Sequence, residues 1–125
     1  MKKEKYHIEY LFENISINSL WQKVSTSFGL SEWFADTVEE DDDAFIFSWE
    51  GSQQKARIVF RRNTSIRFHW EDEPDFTFFE LMLAYDELTG VTSLKIIDFA
   101  ESQETNDAIM LWNTQIENLR RIIGA

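Results

Sequence analysis

Residues 104–124 read ETNDAIMLWNTQIENLRRIIG, and this stretch decides the fold. Apolar side chains recur in it at intervals of three and four, which places them on one side of an α-helix from about Glu104 to Ile123. The stripe consists of Ala108, Leu111, Trp112, Gln115, Ile116, Leu119, Ile122 and Ile123. A helix of about 20 residues is roughly 30 Å long, which is enough to cross a broad β-sheet.

The residues before this helix alternate between apolar and polar side chains, as half-buried β-strands do. The expected inward-facing sets are Tyr6, Ile8, Tyr10 and Phe12; Phe45, Phe47 and Trp49; Ala56, Ile58 and Phe60; Ile66, Phe68 and Trp70; Phe79, Leu81, Leu83 and Tyr85; and Leu94 and Ile96. Turn signals at Gly51-Ser52, Asn63-Thr64 and Thr89-Gly90 separate several of them. Consecutive hairpins at this spacing predict an antiparallel meander.

Two short helices are expected between the first strand and the meander. The first carries Leu20, Trp21, Val24 and Phe28 at helical spacing. Ser16 or Asn18 would cap it and Gly29 would end it, and a second helix would run from Ser31 to about Ala35. The whole order predicts one α+β domain over residues 1–125, in which a curved antiparallel sheet of six to seven strands wraps around the long C-terminal helix.

Several short motifs also carry a family resemblance. They are Leu20-Trp21, residues 29–36 (GLSEWFAD), residues 66–70 (IRFHW), Thr92 with Leu94 and Ile96, and Trp112 with Leu119. In these motifs, which extend over essentially the whole chain, the sequence resembles the START-like superfamily (SRPBCC, Bet v 1-related), and within it the branch of the activator of Hsp90 ATPase. The family's proline before the first helix and its Gly-Gly before the second hairpin are missing here.

The resemblance implies the helix-grip fold and two kinds of function. In the wider superfamily, the cleft between sheet and helix often holds an apolar ligand. The Hsp90-activator branch instead binds a chaperone. A small hydrophobic ligand and a protein partner are therefore both implied as binding partners.

Composition excludes several other classes of function. The chain has 23 acidic and 12 basic residues and a formal net charge of −11, which repels nucleic acids and anionic membranes. The absence of cysteine excludes disulfides, thiol nucleophiles and thiolate metal sites. No signal region and no transmembrane stretch are evident, so a cytoplasmic protein without membrane insertion is expected.

The aromatic side chains are the main candidates for a ligand site. A large apolar ring with one N–H donor makes tryptophan a suitable wall for a pocket. The predicted ligand-binding residues are Trp33, Phe34, Trp49, Phe68, Trp70, Phe79, Leu81, Asp98 and Trp112. The alternative is that these rings fill the core and leave no cavity. The pattern alone does not choose between the two.

The titratable side chains offer little for catalysis or for metal binding. Asp98 shares the inward phase of its strand, whereas Glu80 is assigned to the outer face. One carboxylate without a polar partner does not make a catalytic site, and no catalytic residue is predicted. His7 and His69 both occupy polar phases of their strands, so they are expected at the surface, and no metal or cofactor is predicted.

The remaining charged residues are interpreted as surface features. The acidic runs at residues 36–43 and 71–75 are expected to be solvated loops, with a cation or a basic protein as the other possible partner. Arg57, Arg61 and Arg67 are expected on the outer face of the sheet, paired with acidic side chains.

Three functions follow in order. The first is a non-enzymatic binding module with a ligand in a closed cavity of at least about 300 Å³. The second is a protein-interaction module, either a co-chaperone-like adaptor or a homodimer, with a filled core. The third is an enzyme, which nothing in the sequence specifically supports.

Overall fold

A computed structural model describes residues 2–124 of the chain. Its elements are β1 (Lys3–Glu13), α1 (Ile17–Ser25), α2 (Ser27–Leu30), β2 (Thr37–Asp41), β3 (Ala44–Trp49), β4 (Ser52–Arg62), β5 (Ser65–Trp70), β6 (Phe79–Asp86), β7 (Val91–Glu101), a short 3₁₀ turn (Ser102–Glu104) and α3 (Thr105–Ile123). The seven strands form one antiparallel sheet in the order β1-β7-β6-β5-β4-β3-β2. The predicted α+β helix-grip architecture is confirmed.

The first and last strands of the chain lie side by side. All eleven residues of β1 pair with β7, from Lys3 opposite Glu101 to Glu13 opposite Val91. α3 follows β7 directly and buries Trp112, Ile116 and Leu119, all members of the predicted stripe. The core lies between these helical side chains and the inner face of the sheet. Its large, almost fully buried members on the strands are Phe12, Phe47, Phe68, Phe79, Ile66, Leu81, Leu94 and Ile96.

The acidic segment after residue 36 is a strand as well as a loop. Thr37–Asp41 pairs with β3 as the edge strand β2, and Asp42 in the left-handed region (φ 55°) turns the hairpin. Its side chains are exposed apart from the half-buried Val38. A strand that buries almost nothing shows no apolar alternation, so the prediction of a loop was wrong. Charged residues on such an edge oppose pairing with other chains.

The second helix lies earlier than predicted. α2 is Ser27–Leu30, capped by Thr26, whose Oγ1 accepts a hydrogen bond from the Gly29 N–H at 2.9 Å. Gly29 lies inside α2 instead of ending α1. The position requires glycine because a Cβ there would come within 2.0 Å of the Gln22 carbonyl oxygen. Phe28 is not on a buried stripe and is 74% exposed. Ser16 is the N-cap of α1, as one of the two predicted alternatives.

A β-bulge in β4 reverses two of the predicted side-chain directions. The register with β5 shifts between Ile58 and Phe60, so Phe60 lies opposite Arg67 and Arg61 lies opposite the fully buried Ile66. Because cross-strand neighbours share a face, Phe60 belongs to the outer face and Arg61 to the inner one. Arg61 donates a hydrogen bond to the Ser25 carbonyl oxygen at 3.0 Å and has no acidic partner within the described part of the chain.

Candidate ligand cleft

A cleft of about 390 Å³ lies between α3 and the inner face of the sheet. Its wall consists of Phe34, Trp49, Gln54, Trp70, Phe79, Asp98, Leu111, Trp112 and Gln115. The cleft is partly open to solvent, with the 62% exposed Leu111 on its wall. Its volume therefore exceeds the predicted minimum, but the expectation of a closed cavity was wrong.

Five aromatic rings form a connected wall around this space. Phe34 is central, with ring centroids 5.7 Å from Trp49, 5.9 Å from Phe79 and 5.6 Å from Trp112. Trp70 completes the wall, with its ring 5.1 Å from Phe79. Such edge-to-face and offset contacts between rings are favourable beyond the area that they bury, so the wall is held in one arrangement.

A single backbone carbonyl ties three segments together beside the cleft. The Phe34 oxygen accepts hydrogen bonds from Trp49 Nε1 at 2.9 Å and from Gln115 Nε2 at 3.1 Å. These bonds join the turn after α2 to β3 and to α3. They also satisfy the polar atom of one wall tryptophan, so its ring presents an apolar surface to the cleft.

Asp98 supplies the charged group of the wall and is held by three neutral donors. Its Oδ2 accepts from Trp112 Nε1 at 3.0 Å and from the Tyr6 hydroxyl at 3.3 Å, and its Oδ1 accepts from the Phe99 N–H at 2.8 Å. Burial raises the pKa of Asp98 above the ordinary aspartate value, while the hydrogen bonds act in the opposite direction. Burial and the neighbouring Asp98 charge likewise raise the pKa of Tyr6.

The three tryptophans of the wall differ in their polar atoms. The indole N–H groups of Trp49 and Trp112 donate to protein acceptors, whereas the Trp70 N–H has no acceptor among the described residues. Trp70 also borders a smaller space of about 180 Å³, which shares Gln54 and Asp98 with the cleft. An ion pair between Lys3 and Glu73 lies at this second space. One donor of the wall thus remains available to a ligand.

Six of the nine predicted ligand-binding residues lie on the wall of the cleft. They are Phe34, Trp49, Trp70, Phe79, Asp98 and Trp112. Phe68 and Leu81 are fully buried in the core behind it. Trp33 lies in a neighbouring groove, and its Nε1 donates to the Lys23 carbonyl oxygen at 2.8 Å.

Three wall residues were absent from the predicted set. Leu111 and Gln115 belong to the helical stripe, so their direction was visible in the sequence, but neither is aromatic. Gln54 shares the inward phase with Ala56 on β4, two residues away. Selecting every residue on an inward-facing position, whatever its type, would have included all three.

The outer face holds two polar side chains that are more buried than predicted. His69 is not at the surface: it is 8% exposed, and its Nδ1 lies 2.8 Å from the Thr77 carbonyl oxygen. Glu80 is on the predicted face but buried, where its carboxylate accepts from Arg67 Nε at 2.6 Å and from Ser65 Oγ at 3.0 Å. The Arg67 guanidinium also lies 3.7 Å from the centroid of the Phe78 ring. The bonds from Arg67 and Ser65 satisfy the buried Glu80 carboxylate, and the contact with Thr77 satisfies one ring nitrogen of His69.

Two further properties bear on the class of protein. Among residues 2–124, no three His, Asp or Glu side chains are grouped so that they could hold a metal ion. Within the same residues, no helix has the length and apolar character needed to cross a bilayer.

The whole chain matches the model of one protein family. The model of the START-like superfamily domain matches residues 1–125. The chain belongs to this superfamily. A protein from Bacteroides fragilis, solved by NMR, is 46% identical over 98% of this chain and 93% of its own, with a TM-score of 0.68. A search of curated proteins found no match.

More distant solved structures share the fold of this START-like domain. CalU16 from Micromonospora echinospora is 17% identical, covers 95% of this chain and 73% of its own, and has a TM-score of 0.74. The Aha1 dimer from Colwellia psychrerythraea is 15% identical, covers 95% of this chain and 93% of its own, and has a TM-score of 0.72. At these identities the likeness concerns the architecture alone.

Proposed function

We propose that this START-like domain is a non-enzymatic binding module that holds a small hydrophobic or aromatic ligand between α3 and the sheet. The observation that supports it best is the cleft of about 390 Å³ with five aromatic rings on its wall. Ligand sites of drug-sized molecules have volumes of about 300–1,000 Å³ and mostly apolar walls with few polar groups. The cleft has both properties.

The packing of the rings favours a cleft over the alternative of a completely filled core. Phe47 and Phe68 fill the interior and are fully buried. Trp49 and Trp70 are only half-buried, although a Trp side chain has a large apolar area to bury. A ligand in the cleft would remove more of this area from water.

The arrangement of polar groups favours binding over catalysis. Among the described residues, Asp98 is the one titratable side chain on the wall. General acid–base chemistry generally requires a second polar group that converges on the same substrate atom or on the first group. Gln54 and Gln115 carry neutral amides, which do not act as acids or bases near neutral pH.

Two neighbouring residues of α3 provide a matched test. Met110 and Leu111 are exposed to similar extents, 64% and 62%, but Leu111 lies on the wall of the cleft and Met110 does not. Leu111→Trp should fill the mouth of the cleft and Met110→Trp should not. Native mass spectrometry of both variants and the wild type, purified from the natural host, measures the retained small molecule.

We expect a bound small molecule on the wild type and on Met110→Trp, and its loss from Leu111→Trp. Equal retention by the two variants would place the ligand elsewhere. For a ligand lost during purification, NMR titration of the same three proteins with small aromatic compounds gives the same comparison. A wild-type protein whose indole signals respond to none of them would contradict the proposal.

A protein-interaction role, as a homodimer or as a co-chaperone-like adaptor, is the second candidate. Met110 and Leu111 form an exposed apolar pair on α3, and the fold is shared with a protein that is described as a dimer. Light scattering over a range of concentrations tests the homodimer. A constant monomer mass would contradict it.

A further inference from the structure

The wall of the cleft carries the charged side chain of Asp98 beside neutral amides and aromatic rings. We propose that the cleft selects an organic cation, a protonated amine carried by an aromatic or apolar body, with Asp98 as its counter-ion. This inference rests on the proposed function and adds the chemical class of the ligand. It is carried by the charge of the wall, the bonding of its carboxylate and the nature of its rings.

The charge of the wall favours a cation over an anion. Among the described residues that form it, Asp98 is the one charged side chain, and Gln54 and Gln115 are neutral. An anionic ligand would lose water beside a carboxylate without gaining a cationic partner, which is costly in a partly buried site. A cationic ligand would gain that partner.

Among residues 2–124, the groups that hydrogen-bond to Asp98 leave its charge without an opposite charge bonded to it. Trp112, Tyr6 and Phe99 donate to it as neutral groups, so they stabilise the carboxylate without neutralising it. The cation that acts on it, Lys3, is itself paired with Glu73. Buried charges in proteins are normally paired with an opposite charge. Here the unpaired anion lies on the wall of a space that is large enough for the partner.

The carboxylate also has room for one more donor. Two carboxylate oxygens offer about four acceptor positions, and the three donors occupy two on Oδ2 and one on Oδ1. A protonated amine could donate to the remaining position of Oδ1. Hydrogen bonds between an ammonium group and a carboxylate are stronger than bonds between neutral groups. The raised pKa of Asp98 agrees with an anion that lacks such a partner in the free protein.

The aromatic rings add a second attraction for a cation. The face of an aromatic ring is electron-rich, and tryptophan attracts cations most strongly. Three of the five rings on the wall are indoles, from Trp49, Trp70 and Trp112. The net charge of −11 also raises the local concentration of cations around the protein. The same rings accept the apolar body of the ligand.

A matched series of probes separates charge from shape. Phenethylamine, phenethyl alcohol and 3-phenylpropanoate share the phenethyl group as their apolar body and differ in the charge of the terminal group. Their dissociation constants can be measured by NMR titration that follows the indole N–H signals of the cleft tryptophans. We expect the amine to bind the wild type about tenfold more tightly than the alcohol, and the carboxylate to bind most weakly.

Two variants with the same change in net charge assign the effect to Asp98. Asp98→Asn removes the charge on the wall, whereas Asp75→Asn removes one from an exposed position in a loop. We expect Asp98→Asn to reduce the preference for the amine to about onefold and Asp75→Asn to preserve it. Selectivity that persists in Asp98→Asn, or that Asp75→Asn removes equally, would overturn the assignment.

The series also distinguishes this inference from the proposed function. If the alcohol or the carboxylate binds the wild-type cleft as tightly as the amine does, the inference fails and the binding module stands. If no probe perturbs the cleft tryptophans, the inference fails and the result counts against the binding module as well. The dissociation constants of the three probes for the wild type test the preference for a cation without any variant. This test therefore holds even if Asp98→Asn does not fold.

Discussion

Thr92 carries a buried hydroxyl group that makes no hydrogen bond within the described part of the chain. It is fully buried on β7, opposite Phe12 and Tyr85, and its Oγ1 has no hydrogen-bond partner among the described protein atoms. An unsatisfied buried hydroxyl costs about 1–3 kcal/mol. Thr92→Val keeps the shape and removes the hydroxyl, so we expect unfolding to require about 1 kcal/mol more free energy.

Urea denaturation measures this difference, and Thr92→Ser is the matched control. Serine keeps the hydroxyl and loses the buried methyl group, so it should destabilise the protein by about 1 kcal/mol. A Val variant that is less stable than the wild type would show that the Thr92 hydroxyl has a partner in solution.

Asp98 makes stability depend on pH in the unusual direction for a carboxylate. Its pKa is raised in the folded chain, mainly by burial, so the folded state binds the proton more tightly than the unfolded state does. Its contribution is therefore fully present below the unfolded pKa and is lost as the pH rises through the folded pKa. Between the unfolded and the folded pKa, the unfolding free energy of the wild type should therefore fall relative to that of Asp98→Asn as the pH rises.

NMR titration of the Asp98 side-chain carboxyl carbon measures the folded pKa directly. A midpoint above the ordinary aspartate value supports the account. A midpoint at or below that value would mean that the donors Trp112, Tyr6 and Phe99 outweigh burial.

Helices α1 and α2 pack so closely that a side chain at Gly29 would collide with the backbone. A Cβ there would lie 2.0 Å from the Gln22 carbonyl oxygen and 2.7 Å from the Lys23 Cα. We expect Gly29→Ala to destabilise the protein by about 1–3 kcal/mol, as overpacking does. Gly51→Ala is the control, because it meets nothing within 4 Å and costs only the strain of its positive φ. Because that strain alone costs about 1–2 kcal/mol, the decisive comparison is with the wild type. A Gly29→Ala protein with the same unfolding midpoint in urea as the wild type would contradict this packing.

The elements with strong periodicity could be predicted from the sequence. The stripe of α3 and the inward set of β1 are examples, because each buries one face and leaves the other in water. β2 could not be predicted in the same way, since it is held by backbone pairing with β3 and buries little. The direction of Phe60 and Arg61 depended on the bulge in β4, which leaves no signal in the alternation itself.

The wall of the candidate cleft could be predicted where its residues are aromatic and face inward. The wall residues Trp49 and Trp70 satisfied both criteria, but so did Phe68, which is buried behind the wall. Depth within the core depends on how the sheet and α3 meet, and periodicity carries no information about that. The same applies to His69, because its burial and its contact with the Thr77 carbonyl arise from tertiary packing.

At the scale of the whole molecule, α3 is held on the sheet by its buried side chains Trp112, Ile116 and Leu119 and by polar contacts along its length. The Tyr10 hydroxyl donates to Asn113 Oδ1 at 2.6 Å, and Arg120 donates to the Leu11 carbonyl oxygen at 2.9 Å. Trp112 and Gln115 make the bonds to Asp98 and Phe34 described above. The buried side chains and these bonds together connect α3 to the sheet, and the cleft lies beside them between α3 and the sheet.

The most direct measurement of the central claim locates a bound probe on the protein. Intermolecular nuclear Overhauser effects between phenethylamine and the assigned protein protons report contacts within about 5 Å. We predict effects to the indole protons of Trp49, Trp70 and Trp112, whose rings surround the cleft under α3. Another apolar groove, of about 360 Å³, is lined by Leu11, Ala84 and Tyr85 among others. Effects to those residues, and none to the three tryptophans, would contradict the account.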